Sequence, residues 1–149
     1  LYDNPCNMFV AGFIGTPQMN FINCHLEKRE EDVYLIFGEN ALKLPKEKAN
    51  KPELKEYIGK DVIVGIRPEC IHDEPMYLSS MSESVIDTYV EVTELMGAEI
   101  YLYLVSDETN MVARVSARST ARAGDTIKVA LDVSRMHIFD KDTERCILH

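Results

Sequence analysis

Gly59-Lys60 is the only Gly-Lys pair in the chain, and phosphate chemistry would have to start there. A loop that wraps phosphates in backbone amides and reaches them with lysine reads G-x-x-x-x-G-K-[ST]. Here Leu54 stands at the first glycine position and Asp61 at the hydroxyl position. ATP hydrolysis by this chain alone is therefore not expected. Metal chemistry has two starting points, Cys24-His25 and Cys70 with His72. Neighbours on a strand point to opposite faces, so Cys24 and His25 are poorly placed to share one ion. Cys70 and His72 can face the same way, but zinc takes about four ligands and no second pair lies nearby. Nucleophilic catalysis needs a Ser or Cys beside a base and an orienting acid. No G-x-S-x-G elbow or comparable local signature picks out such a set. The expectation is a chain with no catalytic residues, no metal and no cofactor of its own.

Two further groups of residues suit binding rather than catalysis. Arg67-Pro68-Glu69 follows an apolar run, so a proline-locked arginine can offer its planar fork to a carboxylate or carbonyl. Either an interface contact or an ion pair inside the fold fits that arrangement. Lys43, Lys46, Lys48, Lys51, Lys55 and Lys60 crowd a window whose acids are Glu47, Glu53 and Glu56. The plainer reading is the solvated face of a loop and short helix, the other an acidic partner or headgroup contact.

These candidates must be held by a folded domain, and the composition supplies one. The 149 residues, 46% hydrophobic and 28% charged, suit one globular domain. The net charge of −9 disfavours nucleic acid, whose phosphates draw affinity from Lys and Arg. The apolar runs Met8 to Gly15 and Ile100 to Val105 fall well short of the ~20 residues that span a bilayer. No basic stretch leading into an apolar one opens the sequence, so no export signal is expected. Four cysteines lack any C-x-x-C spacing and read as reduced thiols.

The periodicities place the elements. Asn4-Pro5 reads as a helix start, with Phe9, Val10, Phe13 and Ile14 as its apolar stripe, Gly15 as its end and Pro17 blocking resumption. Phe21 to Lys28 and Val33 to Phe37 read as strands joined by a charged turn, and Pro52 to Ile58 as a short helix. Val62 to Ile66 reads as a strand buried on both faces. Residues 70–84 show no periodicity and read as a connection. Period-2 rows follow: Ile86, Val90 and Val92; Ile100, Leu102 and Leu104; Met111, Ala113, Val115 and Ala117; Ile127, Val129, Leu131 and Val133. Short, regularly spaced strands with few helices predict a mainly β, OB-like barrel with an N-terminal helix. The predicted division is residues 1–69, a connection at 70–84, and barrel strands at 85–139.

Two stretches carry a resemblance. Phe9-Val10-Ala11-Gly12-Phe13-Ile14-Gly15-Thr16-Pro17-Gln18-Met19-Asn20-Phe21, then Val64-Gly65-Ile66-Arg67-Pro68-Glu69, resemble the C-terminal regulatory region of ATP-binding subunits of maltose-type sugar ABC importers. Leu95-Met96-Gly97-Ala98-Glu99 and Arg135 to Asp140 are similar to the segment called the TOBE domain. The resemblance implies a regulatory and dimerising module that follows an ATPase core, with ATP and magnesium handled by that core. It implies a second copy of the subunit, the importer's membrane subunits and a phosphotransferase-system regulator as partners, and a peripheral cytoplasmic location at the membrane. Carried onto the motif segments, Gly15, Pro17, Met19, Asn20, Arg67, Pro68 and Glu69 become interface candidates. Related barrels bind oxyanions such as molybdate, and Ser116-Ala117-Arg118-Ser119-Thr120 offers donors for that alternative. A nucleic-acid-binding barrel, with Tyr101 and Tyr103 as stacking rings, is a further alternative that the acidic balance opposes.

Overall fold

The computed structural model describes residues 18–148, so the predicted helix over residues 4–14 lies outside the described residues, as do Gly15 and Pro17. Alternating apolar residues start the fold at once. Strands β1 (Asn20–Arg29), β2 (Asp32–Phe37) and β3 (Asn40–Lys43) form a meander, with Ile22, Cys24, Leu26, Val33, Leu35, Phe37 and Leu42 all turned inward. The β1–β2 turn needs a left-handed residue, which Glu30 supplies at φ 58°.

The lysine-rich window then packs as helix α1 (Lys46–Ala49) and a 3-10 turn (Pro52–Tyr57). Lys46, Lys51, Lys55 and Lys60 are exposed. The other two lysines are engaged: Lys43 lies 3.6 Å from both Asp32 and Glu83, and Lys48 Nζ donates to the Met136 carbonyl at 3.2 Å. The expected helix at residues 52–58 is thus the tighter 3-10 form, starting on Pro52.

Strand β4 (Asp61–Ile66) explains its own apolar run. It lies between β1 and β10 (His137–Asp140) in a six-stranded sheet ordered β11-β10-β4-β1-β2-β3, where β11 is Cys146–Leu148. Val62, Val64 and Ile66 face the main core, while Ile63 covers a second cluster with Met19, Phe21, Phe139 and Cys146. Phe21 and Phe139 meet edge to face at 5.9 Å. Residues 137–148 therefore complete the sheet begun by residues 20–66.

The second sheet is ordered β5-β9-β6-β7-β8. Its strands are β5 (Ile71–His72), β6 (Val85–Met96), β7 (Glu99–Ser106), β8 (Thr109–Ser116) and β9 (Thr126–Leu131). The sheet curls until its edge strands β5 and β8 approach one another, giving a nearly closed barrel. Residues 70–84, expected to be only a connection, hold β5, helix α2 (Pro75–Ser80) and a 3-10 turn at Ser82–Ser84.

Three of the period-2 rows end earlier than the alternation implies. Ile86, Thr88 and Val90 are buried, but a bulge between Val90 and Val92 inserts Glu91 and turns Val92 outward. Ala117 lies past the end of β8 and is exposed. Val133 sits in a 3-10 turn (Val133–Arg135) after β9 rather than in the strand.

Candidate functional site

The structure draws the two motif stretches to one place, the seam between the sheets. Asn20 opens β1 and is only 9% exposed. Its Nδ2 donates to the Ile66 carbonyl at 3.2 Å and to the Val112 carbonyl at 2.9 Å, while its Oδ1 accepts from the Val112 N–H at 2.8 Å. An amide side chain, with a donor and an acceptor on one plane, reproduces the reciprocal pair a strand neighbour would give β8. Asn20 thereby ties the first sheet (through β1 and β4) to the edge of the second.

Met19 packs beneath the seam against Phe139, in space that Gly65 leaves open. A Cβ on Gly65 would fall 2.5 Å from Met19 Sδ and 2.9 Å from Phe139 Cε2. Arg67 directly follows β4 and is 3% exposed, and Pro68 starts a 3-10 turn (Pro68–Cys70) that lies against β8. Glu69 Oε1 lies 3.9 Å from Arg114 Nη2 on β8, and the same guanidinium reaches Glu99 Oε2 at 3.3 Å. Met19, Asn20, Arg67 and Pro68 are thus buried within this chain, and Glu69 is half-buried in an ion pair with it. All five lie within or beside the junction of β1, β4 and β8. The sequence pointed to these residues but missed their partners Val112 and Arg114. Arg114 is the first basic residue after the acidic stretch from Val85, which was an available signal.

A cavity of about 260 Å³ opens beside the seam, lined by Asn20, Glu91, Tyr103, Asn110 and Val112 among others. Tyr103 donates to Glu94 at 3.1 Å on the outer surface of β7. The face carrying Tyr101 and Tyr103 therefore also carries Glu94 and Glu99, with Arg114 engaged by carboxylates.

The remaining chemical candidates are held apart. Burial pushes the Cys24 thiol up to about 12 and the Cys70 thiol up to about 11, so both stay protonated near neutrality. His25 faces outward and bonds Asp61 at 2.9 Å. His72 stacks on Tyr77 with centroids 3.8 Å apart, and burial holds its imidazole below the usual range. Among the described residues no three His, Cys, Asp or Glu side chains converge as metal ligands. Cys24, Cys70 and Cys146 are all free thiols.

Ser116, Arg118, Ser119 and Thr120 do share a cavity, of about 300 Å³, with Asp73, Glu74 and Pro75. The Ser119 hydroxyl already donates to Asp73. Two carboxylates in that wall oppose an anion there.

Known families match this chain over both sheets. The family model described as the TOBE domain covers residues 64–139, and the MalK OB fold domain covers residues 15–71. The chain belongs to the TOBE domain family. Over 144 residues this TOBE chain is 42% identical to the oligosaccharides import ATP-binding protein MsmX of Bacillus subtilis, covering 97% of itself and 38% of that protein. Over 148 residues it is 36% identical to the trehalose/maltose import ATP-binding protein MalK of Thermococcus litoralis, covering 99% of itself and 39% of that protein. It is also 34% identical to the multiple sugar-binding transport ATP-binding protein MsmK of Streptococcus mutans, covering 99% of itself and 38% of that protein. The TOBE chain thus spans well under half the length of these relatives. A solved structure of the cytoplasmic molybdate-binding protein ModG superposes with a TM-score of 0.60 at 13% identity, over 80% of this chain and 94% of that one. At that identity the likeness concerns the fold.

No helix among the described residues is long and apolar enough to cross a membrane.

Proposed function

We propose that this TOBE chain is the non-catalytic regulatory and assembly part of the ATP-binding subunit of a carbohydrate ABC importer. The observation that carries this reading is the pattern of coverage. Nearly all of the chain aligns with sugar-import ATP-binding proteins, yet it accounts for 38% of MsmX and has no phosphate-binding loop. In such a subunit the ATPase core supplies ATP and magnesium chemistry, and the TOBE part supplies surface. The seam at Asn20, Arg67, Pro68 and Glu69 acts from within, fixing how the two sheets present that surface to the ATPase core and to a second copy of the subunit. Met19 and Gly65 set the same junction from the other face of the first sheet. A phosphotransferase-system protein is the kind of regulator such a surface receives, and the membrane subunits are met indirectly, at the cytoplasmic face.

Two measurements test this. Purified chain should show no ATP turnover, and turnover that scales with protein through purification would overturn the reading. Sedimentation should show weak self-association that tightens when a nucleotide-binding core is joined ahead of Leu1, and no tightening would remove the assembly role.

A second reading, a small-oxyanion sensor, draws on the Ser116–Thr120 cavity. The acids Asp73 and Glu74 in its wall weigh against it. A thermal-shift series with molybdate, tungstate and sulfate separates the two, because only a sensor is stabilised in proportion to ligand.

A further inference from the structure

The β6–β7 hairpin leaves the barrel with an open strand edge. β9 pairs with β6 only from Val85 to Tyr89. The β8–β9 loop then closes the ladder, with Val90 N–H donating to Asp125 at 2.8 Å and Gly124 N–H to Val90 at 2.7 Å. Past the bulge at Glu91, β6 keeps β7 on one side, and among the described residues no strand occupies the other. Glu91–Met96 thus presents about 20 Å of backbone edge, at ~3.4 Å per residue.

This edge is apolar as well as open. Of the five large hydrophobic side chains that are exposed among the described residues, three lie on it: Val92 at 53%, Leu95 at 71% and Met96 at 48%. Pairing sets Val92 opposite Tyr103 and Met96 opposite Glu99 on the outer face, and Leu95 opposite Ile100 in continuation of the core row. Both faces of the strand therefore carry apolar area for an added neighbour to cover. The edge has no proline and no lysine, two of the devices that usually blunt an exposed strand.

Charge selects the neighbour. From Val85 to Ala113 the chain has no Lys or Arg, and Glu91 and Glu94 lie exposed on the edge itself, while Glu99 beside it is paired with Arg114. A second copy would bring the same acidic strand on a chain of net charge −9, and like charges on paired strands repel. We propose that the Glu91–Met96 edge of β6 docks an extended segment of another polypeptide, added as a further strand, with apolar residues alternating with Lys or Arg. Main-chain hydrogen bonds provide affinity in such strand addition, and side chains at alternate positions provide selectivity. This inference rests on the open edge and its charge, independently of the importer reading.

The test uses purified chain and two synthetic ten-residue peptides, one alternating Val with Lys and one alternating Val with Glu. Binding is followed by fluorescence anisotropy and by amide hydrogen exchange. The Val/Lys peptide should bind saturably, weaken as NaCl is raised, and slow exchange within Glu91–Met96 at least tenfold at saturation. The Val/Glu peptide should not bind. Glu91→Lys with Glu94→Lys should invert that preference, and unchanged urea midpoints will show that the exposed substitutions leave the fold intact. Equal binding of both peptides overturns the proposal. So does protection appearing elsewhere than at 91–96. Protection of 91–96 that grows with protein concentration alone would assign the edge to a second copy and overturn it too. The wild-type exchange pattern decides the matter even if the double variant fails to fold.

Discussion

Replacing Asn20 by alanine removes three hydrogen bonds at once, to Ile66 O, Val112 O and Val112 N–H. Each is worth about 1 kcal/mol net, and a partner left unsatisfied in a buried place costs about 1–3 kcal/mol. Val112 is half-buried on an edge strand, so water can partly replace the amide there, whereas Ile66 lies fully inside. The expected loss is about 2–3 kcal/mol. For a chain of this size roughly 2–4 °C of melting temperature accompanies each kcal/mol, giving a drop of about 4–12 °C. Urea unfolding at constant slope measures the free energy, and amide exchange should show the Val112 N–H opening faster while the β6–β7 pairing is unchanged. Asn20→Asp sharpens the test. Its carboxylate still accepts from Val112 N–H but faces two carbonyl oxygens, so at neutral pH it should be worse than alanine. Those carbonyls raise the folded-state pKa of the new carboxyl. Its penalty should therefore shrink as pH falls through that raised value, because the protonated acid can donate to one carbonyl. A change below about 0.5 kcal/mol for Asn20→Ala, or an aspartate variant insensitive to pH, would refute the clamp.

Gly65→Ala should destabilise by about 1–3 kcal/mol, since the new methyl meets Met19 Sδ and the Phe139 ring. Adding Met19→Ala should recover part of that loss, and a double-mutant cycle in urea reads the coupling. The Thr143 amide, then the Tyr57 hydroxyl donating at 2.7 Å, and the Asp142 amide hold the Asp140 carboxyl down at about 2. Its stabilising effect is complete above its unfolded value near 4 and fades as pH falls toward 2. The Tyr57–Asp140 bond pushes the Tyr57 phenol up to about 12, so its contribution is present below about 10 and is lost as pH rises through 12. Tyr57→Phe should remove one late-titrating phenol from the ultraviolet absorbance curve, leaving Tyr103 as another that titrates late, and raise the Asp140 pKa by NMR. Native chain treated with a thiol reagent should react first at Cys146 among the three described thiols, with Cys24 and Cys70 reacting only at the rate of opening.

Strand rows were legible wherever one face alone is buried. Ile100, Leu102 and Leu104 read correctly because a period of two leaves only one register that hides them. Val92 misled because a bulge inserts a residue without altering local composition, and only the cross-strand partners Leu104 and Tyr103 reveal it. β5 and β11 were invisible, since two or three residues show no period; β5 takes its partner from distant β9, and β11 folds back on β10 across a short turn. The motif residues were legible as a set, but their contacts were not. Asn20 and Val112 are 92 positions apart, and no local pattern predicts that a side chain will stand in for a strand.

β4 waits for its second neighbour until β10 arrives, after the whole of the other sheet has been made. On a ribosome adding about 5–20 residues per second, the roughly seventy intervening residues take on the order of several seconds. Throughout that interval the outward edge of β4 is bare, a sticky margin on a half-built sheet. A nick between the two halves afterwards would cut the chain without separating the pieces, because each half holds a strand belonging to the other. Fragments ending before His137 should consequently emerge as aggregates or chaperone clients rather than as smaller stable domains.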